Sequence, residues 1–172
     1  MTDDNETLRR VRPGDWRALR RCRLRALLFD GASFGTSIEQ ASAHPDRYWQ
    51  ELARGHAEGA DGTILLVVSS GAAVAMIRAE RETPPDLFGI YSLWVAPEQR
   101  RRGLAERLMT AAEGWMVSVG GSRAELFVVE SAQPARALYE RLGYRPSGRL
   151  DDPRDDGVVE IGLEKRLVSP EM

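Results

Sequence analysis

Three consecutive arginines, Arg100, Arg101 and Arg102, precede Gly103, Leu104 and Ala105. Small residues at the start of a helix let an anion approach several main-chain N–H groups at once, where the helix dipole adds positive potential. A run of arginines alone reads as a solvated turn. Here it follows an apolar strand stopped by Pro97 and opens an amphipathic segment, so the context favours an anion site. Other chemistries are poorly supplied. Cys22, the only cysteine, cannot form an internal disulfide and falls on the apolar face of a helical run, as a core residue would. His44 and His56 sit in a polar stretch without a second cysteine, so they read as surface residues and no metal site is expected. Neither a glycine-rich lysine loop nor a dinucleotide fingerprint is present.

The surrounding pattern supplies the elements that must position that turn. Residues 8–11 alternate as a short strand, and Pro13-Gly14-Asp15 offers a turn with Asp15 as a helix N-cap. Trp16, Leu19, Cys22, Ala26 and Leu27 then recur at helical spacing and predict a first helix ending near Asp30-Gly31. A capping box, Thr36 with Glu39 or Ser37 with Gln40, opens a second helical region that Pro45 interrupts and that ends near Gly55. Residues 64–68 and 74–79 read as a hairpin turning at Ser69-Ser70-Gly71, followed by a third strand, Leu87–Val95. From Gly103 a helix presents Leu104, Leu108, Ala111, Ala112, Trp115 and Val119 to the core and stops at Gly120-Gly121. A strand at 125–129, a helix at 134–142 closed by Gly143, a charged turn at 151–157 and a last strand at 158–167 complete the chain.

This order gives a mixed α/β domain, and the crossover helix makes the strands before and after it parallel neighbours if they pair. With 172 residues the expectation is one domain: an N-terminal strand and helices over 1–60, the sheet and anion loop over 61–130, and a C-terminal helix and strands over 131–172. A net charge of −2 gives no general attraction to nucleic acid or to an anionic membrane. No apolar run reaches membrane-spanning length and the acidic start lacks signal-peptide regions, so a cytoplasmic protein is expected.

The segment from Val95-Ala96-Pro97 through Arg100-Arg101-Arg102-Gly103-Leu104-Ala105 resembles the acetyl-CoA motif Arg-x-x-Gly-x-Gly/Ala of the GNAT superfamily of N-acetyltransferases. A second stretch, Pro134-Ala135-Arg136-Ala137-Leu138-Tyr139-Glu140-Arg141-Leu142-Gly143-Tyr144, resembles that family's Asn-x-x-Ala-x-x-Leu-Tyr-Glu-x-Leu-Gly-Phe segment. The resemblance implies a GNAT-like domain: a mostly antiparallel sheet with one splayed parallel pair, flanked by helices. It also implies an acetyl-CoA cosubstrate, a small-molecule or peptide amine as acceptor, and a homodimer by family analogy. Cofactor contacts would come from the backbone of Trp94 and Val95 and from Arg100, Arg101, Arg102, Gly103, Leu104 and Ala105.

Tyr139 would then be the general acid that protonates the departing thiolate, although its helical face, shared with Ala135, Leu138 and Leu142, equally suits a core aromatic. The Val95 N–H would hold the oxyanion. Glu130 is a candidate base at a strand end, and a solvated carboxylate is the competing reading. Tyr91 and Ser92 would position a water beside the acceptor, and Phe34 would wall its side of the cleft unless it only closes a loop. Two departures from the family pattern stand out: Arg101 replaces a common glycine, and Ala132 replaces the asparagine that steadies the cofactor arm. A noncatalytic acyl-CoA sensor would carry the same motif.

Overall fold

A computed structural model describes residues 6–168; residues 1–5 of the acidic start and 169–172 lie outside them. Seven strands form one sheet, β1 (Thr7–Arg10), β2 (Gly62–Ser69), β3 (Ala72–Arg81), β4 (Leu87–Val95), β5 (Arg123–Val129), β6 (Arg145–Leu150) and β7 (Glu160–Arg166). Their spatial order is β1-β2-β3-β4-β5-β7-β6. Every neighbouring pair is antiparallel except β4 and β5, which are parallel. Helices α1 (Trp16–Asp30), α2 (Ile38–Ser42) and α3 (Asp46–Ala57) precede the hairpin, α4 (Leu104–Ser118) makes the crossover, and α5 (Gln133–Arg141) follows β5. The α/β class and its single parallel pair agree with expectation.

The parallel pairing is short. It runs from Leu87 opposite Arg123 to Ile90 opposite Leu126 and then stops. Residues 91–95 stay attached to β3 and residues 127–129 stay attached to β7, so a wedge opens between β4 and β5. A bulge assists the separation. Between Arg78 and Met76 of β3, β4 carries the extra residue of the run from Tyr91 to Trp94, and Ser92 adopts φ 57°. Below the wedge the two strands are held tightly. A Cβ on Gly121 would lie 2.8 Å from the Phe88 ring and 2.9 Å from the Met116 carbonyl, which explains glycine there.

Several local expectations need correction. Asp15 precedes α1 but gives it no side-chain cap, because its carboxylate accepts two bonds from Arg9, at 2.6 and 3.0 Å, and the Arg12 N–H. Of the two capping boxes only Ser37 with Gln40 forms. The buried face of α4 is turned toward Met109 and Met116, both fully buried, while Ala111, Trp115 and Val119 only flank the core. The histidines are not surface residues. His56 is half-buried between the Leu52 carbonyl, 2.9 Å away, and Glu80, 3.0 Å away, while half-buried His44 stacks on Tyr48 at 3.8 Å. Strand β6 has no sequence signal: Arg-Pro-Ser-Gly-Arg-Leu lacks apolar alternation, and Pro146 is tolerated only because the strand lies at the sheet edge.

Close approach at Gly121 predicts that Gly121→Ala destabilises the fold by about 1–3 kcal/mol. Gly114, inside α4 with open space around it, is the opposite case. Gly114→Ala is expected to stabilise by about 0.5–1 kcal/mol. Urea denaturation of both variants reads the two signs.

Candidate active site

At the end of β4 the chain turns through a short 3-10 segment, Pro97–Gln99, and enters α4 through two left-handed residues, Arg101 at φ 64° and Gly103 at φ 76°. A Cβ at Gly103 would meet no protein atom, so conformation selects glycine there. The first main-chain bond of the helix runs from the Arg107 N–H to the Gly103 carbonyl, 3.0 Å, which leaves the earlier amides pointing out of the helix end. Turns of this kind make concave sites for anions.

The three arginines have different surroundings. Arg100 is anchored: Nη2 lies 2.5 Å from Asp30 Oδ2 and Nε donates to the Val95 carbonyl at 3.0 Å. The same Asp30 oxygen accepts the Trp94 indole N–H at 2.7 Å, so one carboxylate joins the end of α1 to β4 and to the turn. Arg102 points elsewhere, toward Gln99 and Glu6, and does not line the groove at the helix end. Arg101 lines the groove and has no ionic partner among the described residues. This groove, about 690 Å³, is also lined by Trp94, Val95, Arg100, Gly103, Leu104 and Ala105. Arg141, which sequence reasoning missed, lines it as well and pairs with Glu106 at 3.1 Å.

A second cavity of about 350 Å³ occupies the wedge itself. The two spaces share Ser33, Phe34, Leu93, Ala132, Ala135 and Tyr139. Tyr139 therefore stands at their junction, half-buried, with no hydrogen-bond partner for its hydroxyl among the described residues. Burial alone pushes its phenol up to about 12. Tyr91 and Ser92 line the wedge cavity, and the Tyr91 hydroxyl donates to Glu82 at 2.6 Å. Ala132, at the start of α5, presents a methyl group to both spaces where the family pattern has an amide.

Glu130 is not brought to this junction. It is exposed beyond β5 and lines neither cavity; its N–H bonds the Val159 carbonyl and its own carbonyl accepts from Arg136. The wedge instead holds Glu160, whose side chain is 11% exposed and 3.9 Å from Arg154. Burial raises its pKa above the ordinary value, with Arg154 opposing and Asp151 and Asp156 adding to the shift. The available signal was a carboxylate inside the apolar run Val158-Val159-Glu160-Ile161. Cys22 is buried and its thiol is pushed up to about 12, which leaves it unreactive. Among the described residues no group of three or more His, Cys, Asp and Glu is arranged to hold a metal, and no helix is long and apolar enough to cross a membrane.

The sequence profile of the family described as "Acetyltransferase (GNAT) family" matches residues 24–144. No curated protein matches the sequence. Many solved structures share the fold. One is an acetyltransferase of the GNAT family from Streptococcus pneumoniae, with a TM-score of 0.82 at 15% identity over 95% of this chain and 100% of that one. Another is the PaiA N-acetyltransferase from Thermoplasma acidophilum in complex with coenzyme A, with a TM-score of 0.64 at 14% identity over 94% of this chain and 99% of that one. A third is YncA from Salmonella typhimurium with its cofactor acetyl-CoA, with a TM-score of 0.75 at 12% identity over 98% of both chains.

The environment of Tyr139 generates an alkaline prediction. Its phenol ionises near 10 in the unfolded chain and near 12 in the fold, so its contribution to stability is intact below pH 10 and declines as pH rises toward 12. Subtracting the phenolate absorbance titration of Tyr139→Phe from that of the parent protein is expected to isolate one phenol titrating near 12.

Proposed function

The chain belongs to the GNAT family of acetyltransferases, and from that premise we propose that it transfers the acetyl group of acetyl-CoA directly to a primary amine. The observation that carries this reading is the continuity of the two spaces: a groove at the N-terminus of α4 leads to Tyr139 and from there into the wedge between β4 and β5. Acetyl-CoA would supply the activated acetyl group as a thioester.

The residues present fit such a cosubstrate. The free amides ahead of Arg107 and the unpaired Arg101 would hold its pyrophosphate, while Asp30 keeps Arg100 and Trp94 fixed beside it. Along β4, the Ala96 N–H donates to Val74 at 2.8 Å. Main-chain groups alternate sides along a strand, so the Val95 N–H faces away from β3, toward the wedge. It is placed to bind the cofactor arm or the charge that develops on the acyl oxygen.

An acceptor amine is mostly an ammonium at neutral pH and must lose a proton before attack. Glu160, partly desolvated in the wedge, would take that proton directly or through water. The nitrogen–carbon bond would then form as the carbon–sulfur bond breaks; Tyr139 would give its proton to the departing sulfur and regain one from the nitrogen, which must shed its second proton to become the amide. A phenol held well above neutrality stays in its donor form throughout the working range.

Two measurements test the assignment. Tyr139→Phe is expected to lower kcat by about 100-fold or more, while calorimetry finds the coenzyme A Kd changed by less than about twofold. Equal turnover in both proteins would remove Tyr139 from the chemistry. Glu160→Gln addresses the base. Rate in the parent protein should rise with pH through an inflection above the ordinary carboxylate value, since burial raises this group and only its ionised form accepts a proton. The variant should lose that inflection along with most of its rate, and a profile that keeps the inflection would exclude Glu160.

A further inference from the structure

The wedge cavity is lined by two arginines, of which one has no ion-pair partner among the described residues and the other only a shared one. Arg23 of α1 and Arg78 of β3 both line it, together with the hydroxyl side chains of Thr36 and Ser92. The same four residues line a smaller adjoining space of about 220 Å³. Arg23 makes no hydrogen bond and no ion pair among the described residues, and its Nη1 is buried without a partner. Its guanidinium carbon lies 4.6 Å from the Phe34 ring centroid.

Arg78 is little better served. Its Nε is buried without a hydrogen bond and lies 3.5 Å from Glu80 Oε1, an oxygen already engaged by His56 at 3.0 Å. Arg78 also sits over the Tyr91 ring at 5.1 Å. Burial lowers the pKa of Arg23, and the neighbouring Arg78 lowers it further. Two cations held side by side and partly dehydrated destabilise a fold unless something compensates them. Guanidinium forks match carboxylate oxygens in spacing and plane.

We propose that Arg23 and Arg78, with the hydroxyls of Thr36 and Ser92, form a carboxylate-binding corner in the wedge, so that the acceptor is a small amino-carboxylate. This assignment rests on the acetyltransfer reading above and specifies its acceptor. The far side of the same cavity carries Glu160 and Asp151, whose negative charge suits the ammonium end of such a molecule. A zwitterion would thus lie across the wedge with its carboxylate at the two arginines and its nitrogen toward Tyr139. The volume of about 350 Å³ suits a molecule of amino-acid size.

The test pairs each common amino acid with its amide and with the amine lacking the carboxyl group, and follows thioester consumption. At least one amino acid is expected to exceed both of its partners lacking the carboxylate in kcat/KM by about 100-fold, since a site built for a polar group rejects ligands that lack it. Arg23→Gln should reduce that ratio to within a few-fold, and Arg23→Lys should restore part of it. Because Arg23 is unpaired and repelled, Arg23→Gln is expected to melt no lower than the parent protein; if it fails to fold, Arg78→Gln carries the same comparison. A readout without turnover accompanies these assays: calorimetry of N-acetyl amino acids against N-acetyl amines on protein saturated with coenzyme A.

Amines lacking a carboxylate that react as well as amino acids would overturn the proposal. So would a preference that survives Arg23→Gln, or an absence of heat with every carboxylate. The two readings fail differently. Protein that binds coenzyme A but ignores the carboxylate refutes this inference alone, whereas protein that binds no coenzyme A refutes both.

Discussion

Four residue pairs join β4 to β5, and then the strands part. The rest of the site depends on that separation. Main-chain groups inside a protein are costly to leave without partners, so a sheet cannot open at its centre unless both flanks are secured. Here β3 holds β4 as far as Val95, and β7 holds β5 as far as Val129. The Ser92 bulge shifts the β3–β4 register by one residue, yet β4 stays paired with β3 on both sides of it. What remains is an inner edge of oriented donors and acceptors, rigid because its outer edges are paired.

The second determinant is how a single carboxylate distributes charge. Asp30 receives Arg100 and the Trp94 indole on one oxygen, so α1, β4 and the turn into α4 meet at one point. Arg102 is drawn to the opposite side by Glu6 and Gln99. Only Arg101 of the three is left available to a ligand, and its left-handed conformation helps turn the neighbouring amides toward the groove. The positive character of the groove therefore owes more to oriented amides and one free guanidinium than to a triple charge.

Local features were the most legible part of the sequence. The five residues assigned to the buried face of α1, Trp16, Leu19, Cys22, Ala26 and Leu27, are its five buried residues. The Ser37 box, the hairpin turn and the helix opening at Gly103 were equally readable, because each depends on neighbours a few positions apart. Long-range competition was not. Asp15 left its helix for Arg9, a partner on another element, and β6 exists only because β7 offers an edge. Position after β5 in the sequence points Glu130 to the cleft, yet the chain carries it outward, and Glu160 arrives from β7 instead. Arg23, Arg78 and Glu160 are far apart in sequence, so no spacing rule relates them.

The two spaces that meet at Tyr139 also differ in how they are encoded. Much of the groove wall comes from one continuous stretch, residues 93–106, whereas the wedge borrows side chains from α1, β3, β4, β5, α5 and β7. One border of the wedge is a late addition in chain order: Arg154, in the segment leading to β7, donates to the Ala32 carbonyl at 3.2 Å and so fastens that segment to the turn after α1. This division makes the molecule modular. Under the acetyltransfer reading, acceptor preference would be written on surfaces from opposite ends of the polypeptide, open to piecemeal revision while the handle for the donor stays intact.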